Sequence, residues 1–187
     1  MIKMFLNFLT VFLIMITSIK TPENNFLLNS AIMKTESQWR IVNDGVMGGL
    51  SSSNVNVNED NKIVFKGIVS LENNGGFASL RSPVKNYNFE KFSGIELRMK
   101  GDGKRYSISM KETSYFTGYF YTTSFDTKND EWMVIKIPFD EFKLYYFGKE
   151  TGSNKNIPLN NIKEISLLIG DKQKGAFSAQ LDYIKLY

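Results

Sequence analysis

Residues 43–53, Asn-Asp-Gly-Val-Met-Gly-Gly-Leu-Ser-Ser-Ser, gather more potential chemistry than any other stretch of the chain. Gly45, Gly48 and Gly49 permit positive φ and let backbone amides approach a partner closely. Asn43, Asp44 and the serines from Ser51 onward supply oxygen ligands and hydrogen-bonding groups. Two readings stay open. The stretch is either a ligand loop, or a tight turn and bulge entering a strand, with Trp39 and Met47 filling the core. On the second reading Gly48 and Gly49 serve backbone conformation. A phosphate-binding P-loop is excluded, because no Gly-Lys-Ser/Thr follows, and no helix pattern follows that would make a dinucleotide site.

Two aromatic runs form the next candidate. Tyr115, Phe116, Tyr119, Phe120 and Tyr121 make one, and Tyr145, Tyr146 and Phe147 the other. A strand alternates its faces, so consecutive rings cannot all enter one core. At least three of them are expected on the surface of one side, with Tyr115, Tyr119, Tyr121, Tyr145 and Tyr146 as the candidate binding residues. Such rings suit a sugar or a protein partner; packing into core and loops is the alternative. The oxygen-rich turns at Gly101-Asp102-Gly103 and Asp126–Asp130 lack the ordered acidic spacing of a calcium loop and read as hairpin turns. Asp182 sits among apolar neighbours, either accepting hydrogen bonds from a loop or helping to hold a structural cation.

Absences narrow the chemistry further. The 187 residues contain no His and no Cys. Imidazole acid–base catalysis, His-based zinc sites, thiolate nucleophiles and disulfides are therefore all excluded. No carboxylate stands in a recognisable catalytic motif, so the expectation is a non-catalytic binding domain without a cofactor or an assigned metal site.

The elements that must position these groups are strands. Ile95–Lys100 alternates apolar and charged residues; Ile63, Phe65, Gly67, Val69 and Leu71 share one face, as do Tyr106, Ile108 and Met110. Further strand-length runs cover Tyr119–Phe125, Trp132–Ile137, Glu164–Ile169 and Phe177–Leu186, the last with its alternation shifting near Asp182 as at a bulge. Asn160–Glu164 reads as a single helical turn. About eight or nine short strands separated by Gly, Asn and Asp turns predict an all-β, two-layer antiparallel jelly-roll sandwich.

Met4–Ile19 is an apolar run of 16 residues between Lys3 and Lys20, without an acidic residue. It reads as a secretory signal peptide, short for a membrane span, with an uncleaved anchor as the alternative. The expected organisation is thus 1–20 signal or anchor, an apolar helix outside the domain; 21–36 linker; and 37–187 domain. The formal charge of +4 falls to +2 without residues 1–20, which leaves 21 Lys+Arg against 19 Asp+Glu. The lysines are scattered singly rather than clustered, which argues against nucleic-acid binding.

Trp39-Arg-Ile-Val-Asn-Asp-Gly-Val-Met-Gly-Gly-Leu-Ser-Ser-Ser53 resembles the opening motif of the complex I intermediate-associated protein 30 family. Phe65–Leu71, Asn74-Gly-Gly-Phe-Ala-Ser-Leu-Arg81, Phe92–Gly103, Trp132–Phe142 and Leu181–Leu186 are similar to later parts of that family, in order. The resemblance implies a galactose-binding-domain-like jelly roll. It also implies the role of the mitochondrial members, assembly factors that bind intermediates of respiratory NADH:ubiquinone oxidoreductase. The N-terminus departs from the family, since it lacks the Arg-rich character of a mitochondrial presequence. With a Lys-, Asn- and Ile-rich composition, the expectation is an exported bacterial member, periplasmic or envelope-associated, with peripheral membrane attachment through the N-terminal segment. Its function is expected to be protein binding of an assembly or chaperone-like kind; the alternative is a carbohydrate-binding module on the same fold.

Overall fold

The computed structural model describes residues 25–35 and 38–187. The apolar run Met4–Ile19, expected as a signal or anchor helix, lies outside the described residues. None of the described helices is long and apolar enough to cross a membrane.

Among the described residues, thirteen strands and one α-helix alternate with short 3₁₀ turns. In chain order they are β1 (Phe26–Asn29), α1 (Ser30–Thr35), β2 (Arg40–Asn43), β3 (Ser52–Val57), β4 (Ile63–Val69), β5 (Ala78–Arg81) and β6 (Gly94–Asp102). There follow β7 (Arg105–Lys111), β8 (Tyr119–Asp126), β9 (Asn129–Pro138), β10 (Lys143–Tyr146), β11 (Lys149–Glu150), β12 (Glu164–Ile169) and β13 (Gly175–Leu186). They build two antiparallel sheets. One has the order β3-β4-β13-β6-β9, with β1 also pairing β13; the other runs β11-β10-β8-β7-β12-β5-β2.

The period-2 pattern explains how the layers meet. Ile63 and Phe65 of β4, Ile95, Leu97 and Met99 of β6, and Leu181 of β13 turn inward from the first sheet. Tyr106, Ile108 and Met110 of β7, with Ile165 and Leu167 of β12, answer them from the second. Each fully buried apolar side chain of this size contributes about 1.5–3 kcal/mol. Phe65 and Phe177 meet edge to face at 5.0 Å within this layer.

The expected bulge is present. The pairing of β13 with β6 shifts register between Leu181 and Tyr183, which turns Asp182 outward. There it forms ion pairs with Lys62 and with Arg98, the latter at 2.5 Å.

Two expectations are corrected. Within the expected linker 21–36, residues 25–35 pack on the domain: β1 pairs with β13, Leu28 is fully buried, and Asn25 Nδ2 donates to the Leu186 carbonyl. The apolar stretch from Phe26 to Met33 supplies one buried face, and Asn29 Oδ1 then caps the helical turn by accepting from the Ile32 amide. Asn160–Glu164 is not helical; Glu164 instead opens β12. On the outer face of β9, Trp132 lies with Arg98 at 4.6 Å and Lys62 at 5.7 Å from its ring.

Candidate functional site

The glycine-rich turn is organised around one carboxylate. Asp44 is 1% exposed. Its Oδ1 accepts from the Ser51 amide at 2.9 Å. Its Oδ2 accepts from the Ser51 hydroxyl, the Gly76 amide at 2.6 Å and the Phe77 amide at 3.2 Å. Burial opposes ionisation, but these four hydrogen bonds outweigh it and hold the carboxyl below its ordinary value. Asp44 therefore ties the turn after β2 to the Gly-Gly-Phe segment before β5. Asn43 Oδ1 accepts from the Ser53 hydroxyl at 2.7 Å and adds a second tie between β2 and β3.

Gly48 closes the 3₁₀ turn with φ +87°, as the backbone reading requires. Gly49 has no positive φ; a side chain there would overlap the Asp44 carboxyl group. Trp39 is buried as expected, whereas Met47 is not. With Val46 and Leu50 it forms the exposed outer side of the turn, because the inner side is filled by the Asp44 network. Gly45 is likewise exposed, and its carbonyl accepts from the Gly48 amide at 3.1 Å.

The aromatic runs converge at one corner of the seven-stranded sheet. Tyr119 pairs with Tyr146 across β8 and β10, and their rings lie 4.6 Å apart. Phe147 meets Tyr146 at 4.7 Å and Phe116 at 5.6 Å, both edge to face; Phe116 in turn reaches Phe120 at 6.3 Å. Tyr115, Phe116, Tyr119, Tyr146 and Phe147 are exposed. Tyr121 departs from the expected surface group and is buried, because it shares a face with Tyr119 but stands over the core. Tyr145 is half-buried on the opposite face, beside Phe120.

Phe147 carries the strongest local signal. It is 52% exposed and has φ +44°, followed by Gly148 at +76°. A two-residue connection with both φ positive favours Asn-Gly. A bulky side chain at that position strains the backbone and is a place to look for function.

Sequence reasoning missed a third feature, the outer face of the same sheet. Antiparallel register lines up Lys143, Thr122, Ser109, Ser166, Arg81 and Arg40 in one row across six strands. Hydroxyls pair along it: Ser109 with Thr122 at 2.8 Å, and in the next row Ser107 with Ser124 at 2.9 Å. Beside them Glu164, 2% exposed, gathers Arg40, Arg81 at 3.5 Å and Lys111 at 3.1 Å. Burial, opposed by the Glu164 charge and reinforced by that of Arg40, lowers the basicity of Arg81. The outward alternation of Ser107, Ser109 and Lys111 is visible in the sequence; their alignment with Glu164 and Arg81 requires the register.

Asp102 accepts from the Tyr106 hydroxyl at 3.0 Å and the Ser178 amide at 2.9 Å, and Asp182 is paired with two cations. Among the described residues no group of three or more acidic, His or Cys side chains is placed to hold a metal ion.

Two antiparallel sheets closed over one core make a galactose-binding-like jelly-roll sandwich. The profile of "Complex I intermediate-associated protein 30" matches residues 28–181. The chain belongs to that family. It is 22% identical to the mitochondrial complex I intermediate-associated protein 30 of Mus musculus over 170 residues, 80% of this chain and 52% of the mouse protein. The chain thus spans about half the length of that relative. An uncharacterised protein of Schizosaccharomyces pombe is 28% identical over 80% of this chain and 78% of its own. Among solved structures, a family 11 carbohydrate-binding module from Clostridium thermocellum, in complex with a β-1,3-1,4-mixed-linked tetrasaccharide, shares the fold with a TM-score of 0.61. It is 19% identical and the match covers 87% of this chain and 94% of that one.

Proposed function

We propose that this chain is a non-catalytic docking domain that binds a protein partner through its aromatic corner, in an assembly role of the kind named for its mouse relative. Phe147 carries the reading. An exposed ring held at positive φ serves fold stability poorly, and a binding surface gives a direct reason for it. Ring geometry favours a protein over a sugar. Interplanar angles of 38°, 53°, 79° and 89° make an irregular apolar relief rather than a flat stacking platform. The Asp44 turn acts as scaffold on this reading. An exported location, with the N-terminal apolar run as signal or anchor, belongs to the same proposal and is tested by fractionation and N-terminal sequencing of the mature protein.

The test is photo-crosslinking in native cells with p-benzoylphenylalanine at Tyr115. A discrete adduct that disappears when Phe116 and Phe147 are replaced by Ser supports the reading. Adducts that are diffuse, or unchanged by those replacements, sink it.

A second reading has its own observation. The rows of serine and threonine hydroxyls on the seven-stranded sheet suit a glycan, on the fold of a module solved with a tetrasaccharide. Calorimetric titration with the mixed-linked tetrasaccharide distinguishes the two, since the docking reading expects no binding heat.

A further inference from the structure

One cluster on the outer face of the seven-stranded sheet holds three cations for one carboxylate. Arg40, Arg81 and Lys111 surround Glu164, leaving a local charge of +2. Two other clusters of outward cations are balanced differently. On the six-stranded sheet Arg98 and Lys62 share Asp182 and also lie over Trp132, while Lys185 and Lys136 share Glu96 and lie over Tyr183 and Tyr187. Lys111 has no such ring. The only partner of its ammonium group among the described residues is Glu164, and its side chain is 9% exposed. Arg81, 13% exposed, uses Nε on the Ser79 hydroxyl at 3.0 Å and Nη1 on Glu164, which leaves Nη2 without a hydrogen-bond partner among the described residues. These are recessed, under-neutralised donors at the bottom of a polar face, where a charge-assisted hydrogen bond is stronger than at an open surface.

The cations are continuous with the aromatic corner. The Arg81 guanidinium lies 5.9 Å from the Phe120 ring, and Phe120 lies 6.3 Å from Phe116. We infer that the cation cluster around Glu164 is an anion subsite that receives an Asp or Glu side chain of the protein partner, next to an apolar residue seated on the corner. This rests on the docking reading above and adds the partner's chemistry to it. Charge complementarity selects an acidic residue.

The test is an NMR titration of the full chain with two probes, Ac-Phe-Glu-Phe-NH2 and Ac-Phe-Gln-Phe-NH2. The Glu peptide is expected to bind about tenfold more tightly, to shift the Arg81 Nε–H signal and the Lys111 and Phe120 amides, and to lose that advantage in about 0.5 M salt. Glu164→Gln removes the competing carboxylate and is expected to raise affinity for the Glu peptide several-fold. A merely structural ion network would not produce that gain. If Glu164→Gln does not fold, Arg40→Gln, on the most exposed member, is expected to lower affinity for the Glu peptide alone. Equal affinities for the two peptides, with Phe120 and Phe147 still shifting, overturn the anion subsite while leaving the docking reading in place. Shifts at neither place overturn both. Tighter binding of tri-galacturonate than of the Glu peptide, on the same residues, overturns the peptide occupant in favour of an acidic glycan.

Discussion

Asp44 and Glu164 are both nearly inaccessible carboxylates, yet they are satisfied in opposite ways. Asp44 is closed in by neutral donors, three amides and one hydroxyl, whose geometry uses up its acceptor capacity. Glu164 is surrounded by cations whose charge exceeds its own and whose donors are only partly used. The difference separates scaffold from surface. A carboxylate matched by backbone donors fixes chain geometry and has nothing left for a ligand. One that collects excess cations, on the anion-subsite proposal, holds them in place for another anion.

The largest effect should come from Asp44→Ala. It strands buried amides and a hydroxyl, and should cost about 3–5 kcal/mol in urea unfolding. The pH dependence has a definite sign. The folded Asp44 carboxyl lies below its ordinary value of 3.8, so its contribution is complete above that pH and is lost as the pH falls through the folded value. Asp44→Asn should flatten that part of the acid limb; an unchanged acid limb would mean the hydrogen bonds are not made in solution.

Glu164→Gln should be somewhat milder, about 2–4 kcal/mol, because the amide oxygen still accepts from a cation and Arg40, the most exposed of the three, is hydrated when released. Added sulfate should recover part of the loss in Glu164→Gln and none in Asp44→Ala. Equal recovery in both would erase the contrast between the two carboxylates. Gly48→Ala should cost about 1 kcal/mol through the left-handed backbone alone, measured in the same urea series. Gly49→Ala should cost more than Gly48→Ala, since its methyl group meets the Asp44 carboxyl instead of open space.

Much of the framework was legible in the chain. The alternation in Ile95–Lys100 and Tyr106–Lys111 placed β6 and β7, and the break near Asp182 marked the bulge, because both are local consequences of strand geometry. The Asp44 turn was recognisable as a motif, but its partner at Gly76 and Phe77 lies some thirty residues away, beyond what local spacing carries. Met47 was misjudged for the same reason: the interior of the turn was already occupied by polar groups. The segment 26–35 was misjudged because a four-residue strand next to a short helical turn leaves little periodic signal. Tyr119 and Tyr121 share a face, and only the lateral extent of the core separates the exposed ring from the buried one. The strain at Phe147 had a trace in the sequence, a Phe-Gly pair where a tight hairpin favours Asn-Gly, but it becomes visible only once Tyr146 and Lys149 are seen to pair.

The smallest stability effect is expected at Phe147, the residue on which the docking reading rests. Phe147→Asn replaces a strained ring with the side chain the turn prefers, so the melting temperature should hold or rise while docking is lost. The decisive measurement takes both readings on that one variant: its melting curve, and the yield of the adduct formed from p-benzoylphenylalanine at Tyr115. The docking account predicts an unchanged or higher melting temperature with adduct yield down about tenfold, the loss expected for one central aromatic anchor. A melting temperature several degrees lower, or an adduct formed as well as in the wild type, would contradict it and return Phe147 to the fold.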